Sequence, residues 1–331
     1  TLIKIIRGIF IMQQVLNQSI VPVNSKPRLS KFEKFKRALI KDKYLYLLLI
    51  PATVYFLTFC YAPMYGTLIA FKDFNPMKGI IGSEWVGLKY FKEFFSSVYF
   101  ERLIKNTLFI SVYSLLWGFP IPIIFALSLD ELKDSFFKRF SQTVSYLPHF
   151  ISTVVVVGMI TTLFNDTGII TGMARAITGK HTNFLNDARW FRTLYIGSGI
   201  WQEFGWSSII YLAAVSGVDP SLYEAARIDG ASKLQQTWHI TLPGIKPTII
   251  ILLILNVGGI LSVGYTKIIL MYSPATYSVA DVISTYVYRA GLLRARYSFG
   301  TAVDLFNSVA NFAVLVLVNR ISRKVSEISL W

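Results

Sequence analysis

Charge is scarce in this chain. Asp, Glu, Lys and Arg make up 15% of its 331 residues, against about a quarter in an ordinary soluble domain. Cysteine is scarcer still, and the single Cys60 excludes an intrachain disulfide. The three histidines, His149, His181 and His239, are scattered, with no Cys or His cluster at metal-ligand spacing. No G-x-x-x-x-G-K-[ST] run occurs, so the chain has no phosphate loop of its own. No Ser-His-Asp set can be argued from the sequence. There is no low-complexity tract and no 20–50-residue repeat. Chemistry on a substrate is therefore not expected, and no catalytic, cofactor-binding or metal-binding residue is assigned. No cleavable signal peptide is expected either, because the first long apolar block starts near Tyr44 with no small-residue cleavage pattern after it.

What is present is apolar sequence. Hydrophobic residues make up 53% of the chain, and they fall in blocks of roughly 17–25, the length that crosses a bilayer as a helix. The expectation is an all-α polytopic membrane protein with six spans, at about 44–71, 106–129, 149–164, 194–218, 247–272 and 302–318. The first is long enough to tilt, or to break near Pro63. Pro120 and Pro122 fall inside the second, which a membrane helix tolerates when neighbouring helices or water meet the freed carbonyls.

The net charge of +15 suggests nucleic acid at first sight. The basic residues instead concentrate beside apolar blocks, where they orient a membrane protein, so no nucleic-acid partner is expected. Residues 1–43 hold ten Lys/Arg against Glu33 and Asp42. Within them, 2–16 is apolar but short and broken by Lys4, Arg7 and Gly8. It reads as a helix lying in the interface or packed beside the bundle, with a disordered basic tail as the alternative. Six spans put both termini on one side. The segments on that side carry 19 of the 33 Lys/Arg, which makes that side cytoplasmic. The chain then divides into a basic cytoplasmic segment 1–43, a permease-like membrane domain 44–320 with a polar insert at 219–247, and a cytoplasmic tail 321–331.

The insert begins Asp219-Pro220. Asp suits a helix N-cap and Pro the first helical position, and Ser221 with Glu224 fits a capping box. Ala225, Ala226 and Ala231 are small enough for a helix to enter a groove on a partner. Gly230 permits a turn at positive φ. Residues 231–240 read as a second helix, with Leu234, Trp238 and Thr241 along one face. Leu242-Pro243 is expected to end it and start the turn into the fifth span. On helix signals alone, an ordinary cytoplasmic loop with two amphipathic helices fits equally well.

The stretch Glu224-Ala225-Ala226-Arg227-Ile228-Asp229-Gly230-Ala231, followed by Ile240-Thr241-Leu242-Pro243 and Pro247, resembles the EAA loop of ABC importer permeases. Trp238 stands where that family usually has Phe, a conservative aromatic swap. The likeness extends through LLLIPATVYFLTFCYAPMYGTLIAFKDFNP and WVGLKYF in 44–92, which resemble permeases for complex oligosaccharides or polysaccharide fragments, alginate importers among them. The resemblance implies a type I importer permease fold in a bacterial cytoplasmic membrane. It implies that Glu224, Ala225, Ala226, Asp229, Gly230, Leu242 and Pro243 couple to an ATPase. It also implies a second, related permease, two ATP-binding cassette subunits that hold ATP and Mg, and an extracytoplasmic solute-binding protein that delivers the sugar.

Polar residues inside spans are costly and face a cavity or another helix. Asp304, Asn307, Ser308 and Asn311 share one face of the sixth span at i, i+3, i+4, i+7. Trp201, Gln202, Glu203 and Trp206 cluster in the fourth, and Asn256, Ser262, Tyr265, Thr266 and Lys267 interrupt the fifth. Sugars are held by hydrogen bonds and flat aromatic faces, so Trp201, Gln202, Glu203, Asn256, Asp304, Asn307 and Asn311 are the candidate pathway residues. The alternative is interhelical hydrogen bonding that holds the bundle together. Asp304 or Glu203 pairing with Lys267 is a further alternative. Gly258-Gly259 reads as a site of close helix packing. The basic loop 165–192 suits an acidic sugar, or is an ordinary solvated loop. A secondary transporter and a membrane scaffold remain as rival functions; the first would favour an inverted repeat, which is not seen, and an ion site at broken helices, and the second needs no coupling loop.

Overall fold

The computed structural model describes residues 41–132, 135–326 and 329. The expected helix within 2–16, almost all of the basic segment 1–43, and tail residues 327, 328, 330 and 331 lie outside the described residues. The described residues divide into two units, one up to Tyr65 and one from Gly66 onward.

In the first unit, helix α1 (Lys43–Tyr55) is followed by a π-helical stretch, Phe56–Tyr61, and a short turn of α-helix, Ala62–Met64. Pro51 and Pro63 each remove an N–H donor, and the ladder widens between them. The helix buries none of its apolar side chains, as suits a segment that lies in lipid or against another chain.

The second unit carries the bundle. A small antiparallel pair, β1 (Lys72–Asp73) and β2 (Glu84–Trp85), sets Lys72 opposite Trp85 and Asp73 opposite Glu84; it is the one departure from an all-helical chain among the described residues. Then follow α2 (Lys89–Phe95), α3 (Phe100–Gly118), α4 (Pro120–Glu131) and α5 (Phe136–Tyr146). After a 3₁₀ turn at Leu147–Phe150 come α6 (Thr153–Phe164), α7 (Ile169–Thr178) and α8 (Ala188–Ser216). Two short helices, α9 (Pro220–Ile228) and α10 (Lys233–Gln236), form the insert. Helices α11 (Leu242–Gly258), α12 (Tyr265–Met271) and α13 (Tyr297–Ser326) complete the unit.

Among the described residues, five helical runs are long and apolar enough to cross a membrane: Lys43–Phe71, Phe100–Glu131, Thr153–Thr178, Lys233–Gly258 and Tyr297–Lys324. The expected fourth span is not among them. It is nevertheless one continuous helix of 29 residues, α8, about 44 Å long and studded with polar groups. The expected fifth span is not continuous. Helix α11 stops at Gly258, and an irregular stretch 259–264 precedes α12. Its start was also misplaced: Pro247 lies inside α11 rather than at its head. The sixth runs beyond 302–318 at both ends, so the described part of the tail continues the helix, with Arg323 and Lys324 in its last turn, where cations suit the helix dipole.

Helix α8 packs against α3, α4, α5 and α11, and α13 packs against α11 and α2. Glycines let several of these elements approach closely. A Cβ on Gly205 of α8 would lie 2.0 Å from the Ser145 carbonyl oxygen of α5, and one on Gly258 would lie 2.6 Å from Leu315. Gly258 therefore serves close packing, as expected. A Cβ on Gly291 would lie 2.9 Å from the Gly300 Cα.

At the start of α3, an unexpected ionic cluster is buried. Asp281 is fully buried and takes Nη2 donors from Arg102 at 3.1 Å and Arg289 at 2.7 Å, with the Thr285 hydroxyl at 2.9 Å. Asn106 donates to the Ser278 and Asp281 carbonyls, both at 3.0 Å, and accepts from Arg192 at 2.8 Å. One cluster thus ties α3, α8 and the 277–293 segment together.

Candidate functional site

The insert is built from local chemistry. The Asp219 carboxylate accepts the Ser221 N–H at 2.9 Å and caps α9, with Pro220 in the first turn. The Ser221–Glu224 capping box does not form. The box occurs instead at Ser232 and Gln235, which exchange side-chain and backbone bonds at the start of α10. Asp219 already occupies the cap position, so Ser221 sits inside the first turn, where its side chain has no free amide to meet.

Helix α9 ends in a Schellman motif. Ala231 N–H donates to the Ala226 carbonyl at 2.8 Å, and Gly230 N–H to the Arg227 carbonyl at 3.1 Å. Gly230 takes φ +78°, as the turn requires. The expectation that Leu242-Pro243 ends the second helix is wrong. Residues 237–241 form a π turn that runs directly into α11, and Pro243 occupies the first turn of α11. The wider π turn gives the proline ring room beside the carbonyl four residues back.

The two insert helices are tied to each other and to the bundle. The Tyr223 hydroxyl lies 2.9 Å from Thr241 Oγ1. Lys233 Nζ lies 3.3 Å from Glu131 at the end of α4, and the Thr237 hydroxyl donates to the same carboxylate at 3.1 Å. Gln236 is buried and donates to the Ala231 carbonyl at 2.9 Å. A Cβ on Gly244 would lie 2.8 Å from Val218, so the end of α8 and the head of α11 touch beneath the insert. The outer face is apolar and open: Leu222, Ile228, Leu234 and Trp238 are 50%, 87%, 69% and 62% exposed. Glu224, Ala225, Asp229 and Pro243 are exposed as well, while Ala226 and Leu242 are half-buried. Glu224 and Asp229 form no ion pair among the described residues. Exposed apolar side chains gathered in this way suit contact with another protein or with lipid.

A second feature lies inside the bundle. A cavity of about 530 Å³ is lined by α3, α4, α8, α11, the 259–264 stretch and α12. It gathers Gln202, Glu203 and Asn256 from the expected pathway residues, along with Ser111, Ser262 and Lys267. Gln202 also donates to the Ile151 carbonyl at 2.7 Å, pinning the turn before α6 to the cavity wall. Glu203 Oε2 lies 3.0 Å from His149 Nδ1, and that imidazole stacks flat on Trp206 at 4.6 Å. Asn256 donates back to the Leu252 carbonyl at 2.8 Å. Lys267 Nζ donates to the Tyr195 carbonyl at 3.1 Å, and forms no ion pair with Glu203 or Asp304.

The remaining pathway candidates lie elsewhere. Trp201 is 40% exposed and does not line the cavity. Asp304 is exposed, whereas Asn307 and Asn311 are buried, so the polar stripe of α13 does not share one environment. Asn311 accepts the Leu261 N–H at 2.9 Å and donates to Ser262 Oγ at 2.8 Å. It holds the helix break that lines the cavity, without lining it. His149 and the Asp281 cluster were missed. The signal for the cluster was a lone Asp in an apolar stretch with Arg eight residues on, which demands a buried partner.

The chain is similar to known proteins over most of its length. A model of the binding-protein-dependent transport system inner membrane component family matches residues 118–327. The polygalacturonan/rhamnogalacturonan transport system permease protein YteP of Bacillus subtilis strain 168 is 47% identical over 301 residues, covering 90% of this chain and 94% of that protein. LplB of the same organism is 46% identical over 295 residues, covering 89% of this chain and 93% of that protein. A chain in the crystal structure of a bacterial ABC transporter involved in the import of the acidic polysaccharide alginate is 43% identical, with a TM-score of 0.81, over 89% of this chain and 100% of that chain. A second structure of a bacterial alginate ABC transporter, in complex with an alginate pentasaccharide-bound periplasmic protein, matches at 42% identity and a TM-score of 0.81, over 89% of this chain and 99% of that chain. The family match spans both the insert and most of the cavity wall, and this chain belongs to the family of inner-membrane components of binding-protein-dependent transport systems, as a permease subunit with the type I ABC importer fold.

Proposed function

We propose that this permease imports oligosaccharides released from acidic polysaccharides, with both termini cytoplasmic in a bacterial cell membrane. The pathway is shared with a second, related permease. An extracytoplasmic binding protein delivers the sugar, and two ATP-binding cassette subunits dock on the insert and hold ATP and Mg. The chain itself carries no ATPase site. The acidic character of the substrate rests on the similarity to the polygalacturonan/rhamnogalacturonan permease and to the alginate importer.

One observation carries the coupling. The insert is the only covalent link between α8 and α11, and those helices supply Gln202, Glu203 and Asn256 to the cavity. Val218 and Gly244 touch at its base. A partner that grips the exposed face of the insert therefore moves two cavity walls together. ATP binding draws the ATPase subunits together, the insert follows, and the population shifts towards the state whose cavity opens to the binding protein. Hydrolysis reverses the bias.

The test is the reconstituted importer. Glu224→Ala removes the exposed acid that meets the ATPase, and Gly230→Pro breaks the Schellman turn. Both variants should insert and assemble, and both should lose the ATPase stimulation given by sugar-loaded binding protein. Wild-type stimulation in both would exclude the insert as the coupling element.

A further inference from the structure

We infer that Lys267 is the cavity residue that recognises a carboxylate on the transported sugar, and so selects acidic over neutral oligosaccharides. The assignment rests on the importer function proposed above and names the group that reads its substrate.

Lys267 stands in the first turn of α12, just past the helix break, and lines the cavity. Its ammonium donates to the Tyr195 carbonyl at 3.1 Å and lies over the Tyr195 ring, 5.1 Å from the centroid. No carboxylate lies within 4.0 Å of it among the described residues. An acidic side chain of the cavity wall, Glu203, acts on Lys267 through space but is itself engaged by His149 at 3.0 Å. A lysine in a membrane-spanning bundle is costly and persists where it meets a partner, water or a substrate. One of its three N–H groups is used by a carbonyl, and two remain for a ligand. Tyr195, Gly199 and Glu203 follow at four-residue spacing along one face of α8. Gly199 leaves the space beside the ammonium open, since a Cβ there would lie 3.5 Å from Nζ. A sugar ring can lie against this wall with its carboxylate on Lys267. The charge-assisted bond so formed is one that a hydroxyl or an ester cannot match.

The experiment uses the complete importer in vesicles, with two probes: tetragalacturonate and its methyl ester. Comparing each variant with wild type, probe by probe, cancels any preference of the binding protein. Lys267→Gln should slow uptake of the acid by about tenfold or more and leave the ester within about twofold. Lys267→Cys, made in a Cys60→Ser background, should behave like Lys267→Gln. Aminoethyl methanethiosulfonate, which restores an ammonium after assembly, should recover uptake of the acid, and the neutral methyl reagent should not. Equal loss for both probes, or no loss for the acid, overturns the role of Lys267 and leaves the importer function standing. A wild-type importer that moves neither probe overturns the importer function and the lysine assignment with it.

Discussion

At position 230 an added Cβ would meet nothing within 4 Å, but the backbone sits at φ +78°. Crowding is therefore not what selects glycine; conformation is. Gly230→Ala should cost about 1 kcal/mol of local stability, the penalty of a left-handed L-residue, and Gly230→Asn clearly less. Thermal unfolding of the purified complex measures both. Asp219 gives a pH test. The Ser221 backbone N–H holds its carboxyl below the usual carboxylate range. A lowered pKa contributes stability that is present above the unfolded value, about 3.9, and lost as pH falls through the folded value. Amide-exchange protection at the start of α9 should stay flat from neutral pH to about 5 and decline only below about 4. These residues were legible because their partners are neighbours in the chain: Asp219 bonds two residues on, and Gly230 closes its own turn. Asn311 and Lys267 were not legible in the same way. Their partners, Leu261, Ser262 and Tyr195, lie 50, 49 and 72 residues away, and only packing decides which helix stands opposite.

Among the elements, the break between α11 and α12 depends on α13. Asn311→Leu leaves the Leu261 N–H without its acceptor, at about 1–3 kcal/mol for a buried donor. Uptake should fall because the 259–264 wall loses its register, while co-purification with partner subunits persists. Asn307 accompanies it on the buried face, so Asp304→Asn, on an exposed position, should leave both properties close to wild type. The Asp281 cluster is a second junction between elements. Asp281→Asn strands Arg102 and Arg289 against a neutral group and should cost about 3 kcal/mol, the lower end for a broken buried pair, because Arg102 keeps 35% side-chain exposure. The loss should appear as a lower melting temperature with the insert still protected. Helix α4 separates the two places: Glu131 at its end meets the insert, roughly 40 Å from Arg102 along α3 and α4. The element pattern was largely readable from apolar blocks. Their ends were not, because Pro243 and Pro247 read as boundaries, whereas Pro243 sits in the first turn of α11 just after a π turn and Pro247 in that helix's interior.

For the whole molecule, sidedness is the first consequence to check. In a Cys60→Ser background, a cysteine at Ser232, exposed in the insert, should be labelled only from the cytoplasm. One at Met77, 94% exposed beyond β1, should be labelled only from outside. Reaction of position 232 from outside would invert the orientation and separate the insert from any cytoplasmic ATPase. Helix α8 has a different consequence, in biogenesis. It is the central helix of the second unit, in contact with α3, α4, α5 and α11, yet it is not among the runs apolar enough to cross a bilayer by composition. A nascent chain that ends just after Ser216 offers the translocon a segment carrying Arg189, Arg192, Gln202 and Glu203, with α11, which packs against it, not yet synthesised. Such a truncation should leave α8 partly unintegrated in a glycosylation-mapping assay, and extension through Gly258 should restore it. The insert is made in that interval, so the loop proposed to couple transport to ATP is also the stretch of chain during which the membrane domain has yet to close around its own centre.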